Sequence, residues 1–250
     1  MSVQVAVFGA AGRMGRQVCE AVEGAEGLEL VARIDVGQDP KLAVEAGAQV
    51  AVDFTSPDAV LGNLGFCVRN GIHVVVGTSG FGPDKIAETQ ALLAESPDSG
   101  VGVLVAPNFS LGAVLMMKFA AQAAPYFESV EIVELHHPDK LDAPSGTARR
   151  TAELIAEARE AAGVAASPDA TEQDEDHHRG GKVGDVTVHS VRLRGLVAHQ
   201  EVLLGGVGET LTLRHDSLDR ASFMPGVLVG VREIAAHPGL TVGLEHYLSL

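Results

Sequence analysis

The sequence predicts an α/β fold in two parts. The first is a doubly wound parallel sheet; the second is a smaller C-terminal α+β domain with a mixed or antiparallel sheet. Three observations lead there. Through the first hundred residues, short and almost wholly apolar strands alternate with helical patterns, as strands covered on both faces must. A glycine-rich turn, Gly9-Ala10-Ala11-Gly12-Arg13-Met14-Gly15, joins the first strand to the first helix. Beyond Asn108 the alternation stops, and three strands follow one another at hairpin spacing.

Each element has its own local warrant. Val3–Phe8, Leu28–Ile34, Val50–Phe54, His73–Val76 and Val101–Ala106 are the expected strands of the parallel sheet. Met14, Val18, Ala21 and Val22 recur at helical spacing between the first two, and Val60, Leu64 and Val68 do so in the third crossover. After Asn108 come a helix over Ser110–Ala124, a β-branched strand over Val130–Leu135 and a long helix over Thr147–Ala162. Gly163 to Asp185 is polar and glycine-rich, contains Asp174-Glu175-Asp176-His177-His178, and reads as a mobile loop. Val186–Leu193, Val197–Leu204 and Glu209–His215 complete the second sheet. A last helix near Ser222–Ala236 has no core of its own and is expected to return to the first part. The division is therefore residues 1–107, completed by 217–250, for dinucleotide binding, and residues 108–216 for substrate binding and oligomerisation.

The glycine-rich turn lies where a Rossmann-type dinucleotide fingerprint belongs, although its spacing is G-x-x-G-x-x-G, with Ala11 at the usual second glycine. A tight strand-to-helix turn with no ligand is the competing reading. Asp35 follows Gly15 by twenty residues at the end of the second strand, where a carboxylate accepts hydrogen bonds from ribose hydroxyls; an ordinary turn aspartate would look the same. Two later strand ends carry short polar turns, Gly77-Thr78-Ser79-Gly80 and Ala106-Pro107-Asn108-Phe109-Ser110. Ligands of such sheets lie beyond the carboxyl ends of the strands, so these turns are expected to flank a nicotinamide.

The densest chemistry is in Glu134-Leu135-His136-His137-Pro138-Asp139-Lys140-Leu141-Asp142-Ala143-Pro144-Ser145-Gly146-Thr147-Ala148. Two imidazoles and an ammonium group sit on a short connection from a strand end to a helix start. Ser145 is a candidate N-cap, and the backbone N–H groups of Gly146 and Thr147 would favour a carboxylate or phosphate. Taken singly, each piece is also ordinary: a His-His pair suits a solvated turn, and Pro-Ser-Gly-Thr suits any helix start. Together they describe a site for an acidic small molecule.

Composition narrows the partners. A net charge of −15 argues against nucleic acid and anionic membranes. Forty-six per cent hydrophobic residues with 4% aromatics suits a core of Ala, Val, Leu and Gly. Cys19 and Cys67 fall on apolar helix faces without metal or disulfide spacing and are expected to be buried thiols. The ten histidines show no ligand spacing with cysteine, so no metal is expected. The N-terminus has no signal-peptide pattern and no apolar run reaches membrane length, so a cytoplasmic protein is expected.

The Glu134–Ala148 segment resembles the signature E-x-H-H-x-x-K-x-D-A-P-S-G-T-A of the dihydrodipicolinate reductase family, and the resemblance extends over essentially the whole chain. Val52-Asp53-Phe54, the Gly77 and Ala106 turns and Arg214-His215-Asp216-Ser217 also fit. The resemblance implies NADH- and/or NADPH-dependent reduction of a cyclic unsaturated imine bearing two carboxylates, in lysine and diaminopimelate biosynthesis, by a homotetramer. It implies His136 and Lys140 as proton-handling residues. His137, Lys140, Ser145, Gly146 and Thr147 become substrate contacts. Gly9, Ala10, Ala11, Gly12, Arg13, Met14, Asp35, Gly77, Thr78, Ser79, Ala106, Pro107, Asn108 and Phe109 become cofactor contacts. Two other readings stand beside this one: a two-domain reductase of the homoserine or aspartate dehydrogenase type, and a nucleotide-binding sensor without turnover.

The chain departs from the family pattern at two places. Ser79 replaces the second threonine of a Gly-Thr-Thr turn and keeps its hydroxyl. Val36 stands where NADPH-favouring members place an arginine, so nothing at that position offsets the repulsion between Asp35 and a 2′-phosphate. Dual cofactor use is expected, with kcat/KM for NADH at least equal to that for NADPH. A preference for NADPH of about a hundredfold in side-by-side kinetics would contradict this reading of Asp35 and Val36.

Overall fold

The computed structural model describes residues 2–78, 80–95 and 97–248. In chain order the elements begin with β1 (Val3–Phe8), α1 (Arg13–Glu23), β2 (Leu28–Ile34), α2 (Lys41–Glu45), β3 (Val50–Asp53), α3 (Val60–Arg69), β4 (His73–Val76), α4 (Pro83–Ala94) and β5 (Gly102–Val105). They continue with α5 (Leu111–Ala123), β6 (Ser129–His136), α6 (Gly146–Ala161), β7 (Gly181–Val183), β8 (Val186–Arg192), β9 (Ala198–Gly206) and β10 (Glu209–Ser217). The last two are α7 (Met224–Glu233) and β11 (Gly239–Val242). The chain divides into two compact units, residues 1–111 with 220–250, and residues 112–219.

The first unit holds a six-stranded parallel sheet in the order β11-β5-β4-β3-β1-β2. Its central strands β3, β4 and β5 are apolar and largely buried, as a sheet covered on both faces requires. The chain returns to this unit after residue 219, where β11 pairs with β5 in parallel. β11 is absent from the strands expected above: four residues bounded by Pro238 and Gly243 are too few to establish a period.

The second unit has a five-stranded mixed sheet, ordered β10-β9-β6-β8-β7, in which β6 and β8 run parallel and the other neighbours antiparallel. Val130 and Ile132 of β6, Val186 and Val188 of β8, and Val202 and Leu204 of β9 form a core with Ala148, Ala152 and Ile155 of α6. The stretch 163–185 departs from the expected mobile loop. It contains β7, and Arg179 within it bridges Glu131 at 2.6 Å and Asp169 at 3.3 Å. The preceding helix is tied down by Arg159, buried, whose guanidinium donates to the carbonyls of Ala124, Phe127, Glu128 and Ala165. Cys19 and Cys67 are both buried free thiols.

Two helical glycines separate close approach from free space. A Cβ on Gly226 in α7 would lie 2.0 Å from the Phe109 carbonyl oxygen, whereas one on Gly62 in α3 would meet nothing within 4 Å. Gly226→Ala should therefore destabilise the protein by about 1–3 kcal/mol, and Gly62→Ala should stabilise it by about 0.5–1 kcal/mol. Urea denaturation of the two variants checks this, and equal midpoints would contradict it.

Candidate active site

In the first unit, four turns follow the carboxyl ends of parallel strands β1, β2, β4 and β5. Gly9 has φ +77°, and a Cβ there would lie 2.7 Å from the Phe54 carbonyl oxygen. A Cβ on Gly15 would come within 2.0 Å of the Gly9 carbonyl oxygen, so α1 starts directly against the turn. Gly12 caps α1 without a side chain, and the first turn of α1 carries no acidic residue, which leaves the helix start suited to an anion. Asp35 Oδ2 accepts the Ala11 N–H at 2.5 Å and its Oδ1 accepts that of Val36 at 3.0 Å. Gly9, Gly12, Asp35, Val36, Gln38 and Thr55 are among the residues lining a cleft of about 510 Å³. Ala10 is buried; Ala11, Gly12 and Arg13 are exposed and Met14 half-buried. A glycine-walled turn, an uncapped helix start and a carboxylate on one cleft fit the adenosine and pyrophosphate of a dinucleotide.

The turns after β3 and β4 are held together by Asp53. It is buried, and its Oδ1 accepts from the Thr78 hydroxyl (2.8 Å), the Thr55 hydroxyl (2.7 Å) and the Thr55 N–H (2.9 Å), while Oδ2 accepts from Asn63 (2.9 Å). A Cβ on Gly77 would overlap the Phe54 ring at 2.2 Å. Phe109 is buried with its ring centroid 5.9 Å from that of Phe54, which links the Ala106–Phe109 turn to the same ring. Ala106 is buried, Pro107 exposed, and the Asn108 side chain accepts the Ser110 N–H at 2.8 Å. Ser79 lies outside the described residues. Asp53 was not among the expected site residues, because a single acid at the end of an apolar strand announces no partners in sequence.

In the second unit, alternation along β6 puts Val130, Ile132 and Glu134 on the face that packs toward α6. Glu134 is wholly buried at the end of that apolar row. Arg192, opposite His136 in the β6–β8 register, donates to both carboxylate oxygens of Glu134 at 2.8 Å. The Ser145 N–H reaches Oε1 at 3.2 Å, and His136 Nδ1 lies 2.5 Å from Oε2. Burial alone would raise the Glu134 carboxyl, but hydrogen bonds from His136, Arg192 and Ser190 outweigh it and hold the group down at about 2. The same Arg192 guanidinium donates to the Asp142 carbonyl at 2.7 Å, and Lys140 Nζ pairs with Asp142 Oδ1 at 2.7 Å. That ammonium keeps the Asp142 carboxyl below its usual range.

His136 and Lys140 thus belong to one connected cluster, with Glu134, Arg192 and Asp142 between them. His137 follows the end of β6, is half-buried, and its carbonyl accepts the Lys140 N–H at 3.3 Å. Ser145 caps α6, its hydroxyl oxygen accepting the Ala148 N–H at 3.1 Å; Gly146 is exposed and Thr147 half-buried in the first turn. The Ala143–Pro144 peptide is cis. Arg192 escaped the sequence reading because it lies 58 residues from Glu134 and enters only through strand pairing. Among the described residues, no group of three or more His, Cys, Asp or Glu could hold a metal ion, and no helix is long and apolar enough to cross a membrane.

A parallel-sheet unit with a glycine-rich strand-to-helix turn, joined in one chain to a unit in which His136 and Arg192 surround the buried Glu134, suits a nicotinamide-dependent oxidoreductase. The family profile described as "Dihydrodipicolinate reductase, N-terminus" matches residues 3–109, and "Dihydrodipicolinate reductase, C-terminus" matches residues 112–248. The chain belongs to the dihydrodipicolinate reductase family. It is 61% identical to the 4-hydroxy-tetrahydrodipicolinate reductase of Streptomyces avermitilis, covering 99% of this chain and 98% of that one. It is 60% identical to the enzyme of that name from Nocardia farcinica, with both chains covered completely. The solved dipicolinate-bound dihydrodipicolinate reductase from Paenisporosarcina sp. TG-14 superposes with a TM-score of 0.87 at 37% identity, over 99% of this chain and 100% of the other. These matches favour the NAD(P)H-dependent reductase over the other dehydrogenase type and the sensor.

The Glu134 carboxyl has a pH consequence. Its folded value, about 2, lies below the ordinary 4.5, so its stabilisation is present above about pH 4.5 and is lost as pH falls toward 2. The contribution amounts to about 3 kcal/mol at most. Between about pH 5 and about pH 3 the unfolding free energy of the wild type should fall further than that of Glu134→Gln. Parallel pH dependences in chemical denaturation would contradict this.

Proposed function

We propose that this chain catalyses the NAD(P)H-dependent reduction of the dihydrodipicolinate-type cyclic imine to tetrahydrodipicolinate, a step of lysine and diaminopimelate biosynthesis. The observation that carries the reading is the hydrogen-bonded cluster formed by the signature segment, in a chain that matches the family through both units. The Paenisporosarcina relative binds dipicolinate, a planar ring with two carboxylates, and the same class of ligand suits the donors here.

Gly9 to Met14 and Asp35 hold the adenosine and pyrophosphate. Gly77, Thr78 and Ala106 to Phe109 line the nicotinamide, and the family resemblance assigns Ser79, outside the described residues, to the same group of cofactor contacts. When bound, the nicotinamide supplies the hydride. Hydride addition displaces an electron pair in the conjugated ring, and the atom that receives it must take a proton. His136 and Lys140 handle that proton. Lys140 also attracts a ring carboxylate, while His137, the Ser145 hydroxyl and the backbone donors of Gly146 and Thr147 hold the dianion. In a chain of charge −15, this local set of donors offsets the general repulsion.

The stretch 108–216, most of it within the second compact unit of residues 112–219, serves substrate binding and oligomerisation; the whole protein is a cytoplasmic homotetramer, and the tetramer assembles through the second sheet. Within that unit α6 covers one sheet face, whereas on the other strands β9 and β10 leave Leu203 and much of β10 exposed. Light scattering in solution should give about four times the 25.9 kDa chain mass. A monomeric mass would remove this assembly.

Turnover is tested with freshly generated substrate and NADH. Lys140→Ala should lower kcat by ~10²–10⁴-fold and raise substrate KM, with NADH affinity unchanged. Near-wild-type turnover of that variant at saturating substrate would remove Lys140 from the chemistry.

A further inference from the structure

We propose that Glu134 is a positioning residue for proton transfer: it fixes His136 with a proton on Nδ1, so that Nε2 is the atom that gives or takes the reaction's proton. The proposal rests on the reading of His136 as a proton-handling residue and adds the group that orients it.

Strand geometry makes the contact. Glu134 and His136 are two residues apart on β6, so both side chains lie on one face of the sheet. The Glu134 carboxylate is wholly buried and surrounded by donors: both terminal nitrogens of Arg192, the Ser145 N–H and the His136 ring. An ionised carboxylate only accepts hydrogen bonds, so the ring nitrogen 2.5 Å away must be the donor. In the neutral ring the proton then sits on Nδ1 and Nε2 carries the lone pair. In the protonated ring, Nδ1–H stays with Glu134 and Nε2–H is the proton that leaves. Glu134 itself takes no proton in the cycle, because Arg192 keeps its charge compensated. The logic is that of a histidine held in one tautomer by a buried acid.

A purely structural ion pair between β6 and β8 would be complete with Arg192 alone. The additional 2.5 Å contact to His136, which is itself only 13% exposed, is the one such a role does not need. Arg192 extends the arrangement by holding the Asp142 carbonyl, and Asp142 holds Lys140, so one guanidinium registers the supports of both proton-handling groups.

The test is a double-mutant cycle read in kcat, with thermal stability and NADH affinity measured alongside. His136→Gln should lower kcat by ~10²–10⁴-fold. Glu134→Gln should lower it by roughly tenfold or more, up to the His136→Gln loss, with NADH affinity unchanged. The double variant should equal His136→Gln alone, because Glu134 acts only through that ring. Glu134→Asp keeps the charge that Arg192 needs while withdrawing the carboxylate from His136. It should show the same pattern, and it decides the matter if the Gln variant does not fold. Wild-type kcat in Glu134→Asp, or a Glu134 effect that persists undiminished on the His136→Gln background, would overturn the positioning role alone. Wild-type kcat in His136→Gln would overturn the reading of His136 and this proposal with it.

Discussion

A carboxylate with no access to water cannot remain charged unless the fold surrounds it with donors, and the second unit meets that condition at Glu134. Removing one partner of such a pair typically costs roughly 3–5 kcal/mol, because the other charge is left buried and uncompensated. The requirement shapes what surrounds it. β8 must run parallel to β6 so that Arg192 and Ser190 arrive beside Glu134, and α6 must begin where the Ser145 N–H can reach Oε1. The turn between β6 and α6 then carries Asp142 to the same guanidinium, and Lys140 to Asp142. The placement of His136 and Lys140 is thus a consequence of how one buried charge is satisfied.

The first unit solves a different problem by similar means. Its strand-end turns need close approach of the chain to itself, and the sequence grants it where side chains would collide: at Gly9, Gly15 and Gly77. Asp53 then plays an organising part without contacting solvent, drawing Thr55, Thr78 and Asn63 together from two strand ends and a helix. In both units a buried acid on a strand collects the turns around it. One is compensated by a guanidinium, the other by neutral hydroxyl, amide and backbone donors.

Local patterns were readable and pairings were not. β1, β2 and β4 follow from runs of apolar residues ended by glycine or polar turns, and Ser145 announces itself as a cap through the Pro-Ser-Gly-Thr sequence. His136 and Lys140 stand out because their segment concentrates chemistry. Arg192 carries no such local mark: its role exists only once β6 and β8 pair, a contact separated by 58 residues. β7 hides inside a polar, glycine-rich stretch because three residues at a sheet edge need hydrogen bonds more than apolar side chains. β11 is invisible for the same reason of length, although it determines where the chain ends its path in the first sheet.

If the ionised Glu134 organises this site, the ring of His136 must record it directly. Nitrogen-15 spectroscopy of the imidazole in the wild-type protein reads which nitrogen is protonated in the neutral form. The account predicts a proton on Nδ1 and an unprotonated Nε2, the reverse of the tautomer that free histidine favours. A neutral His136 with its proton on Nε2 would contradict it, since an Nδ1 lone pair cannot face an ionised carboxylate at 2.5 Å.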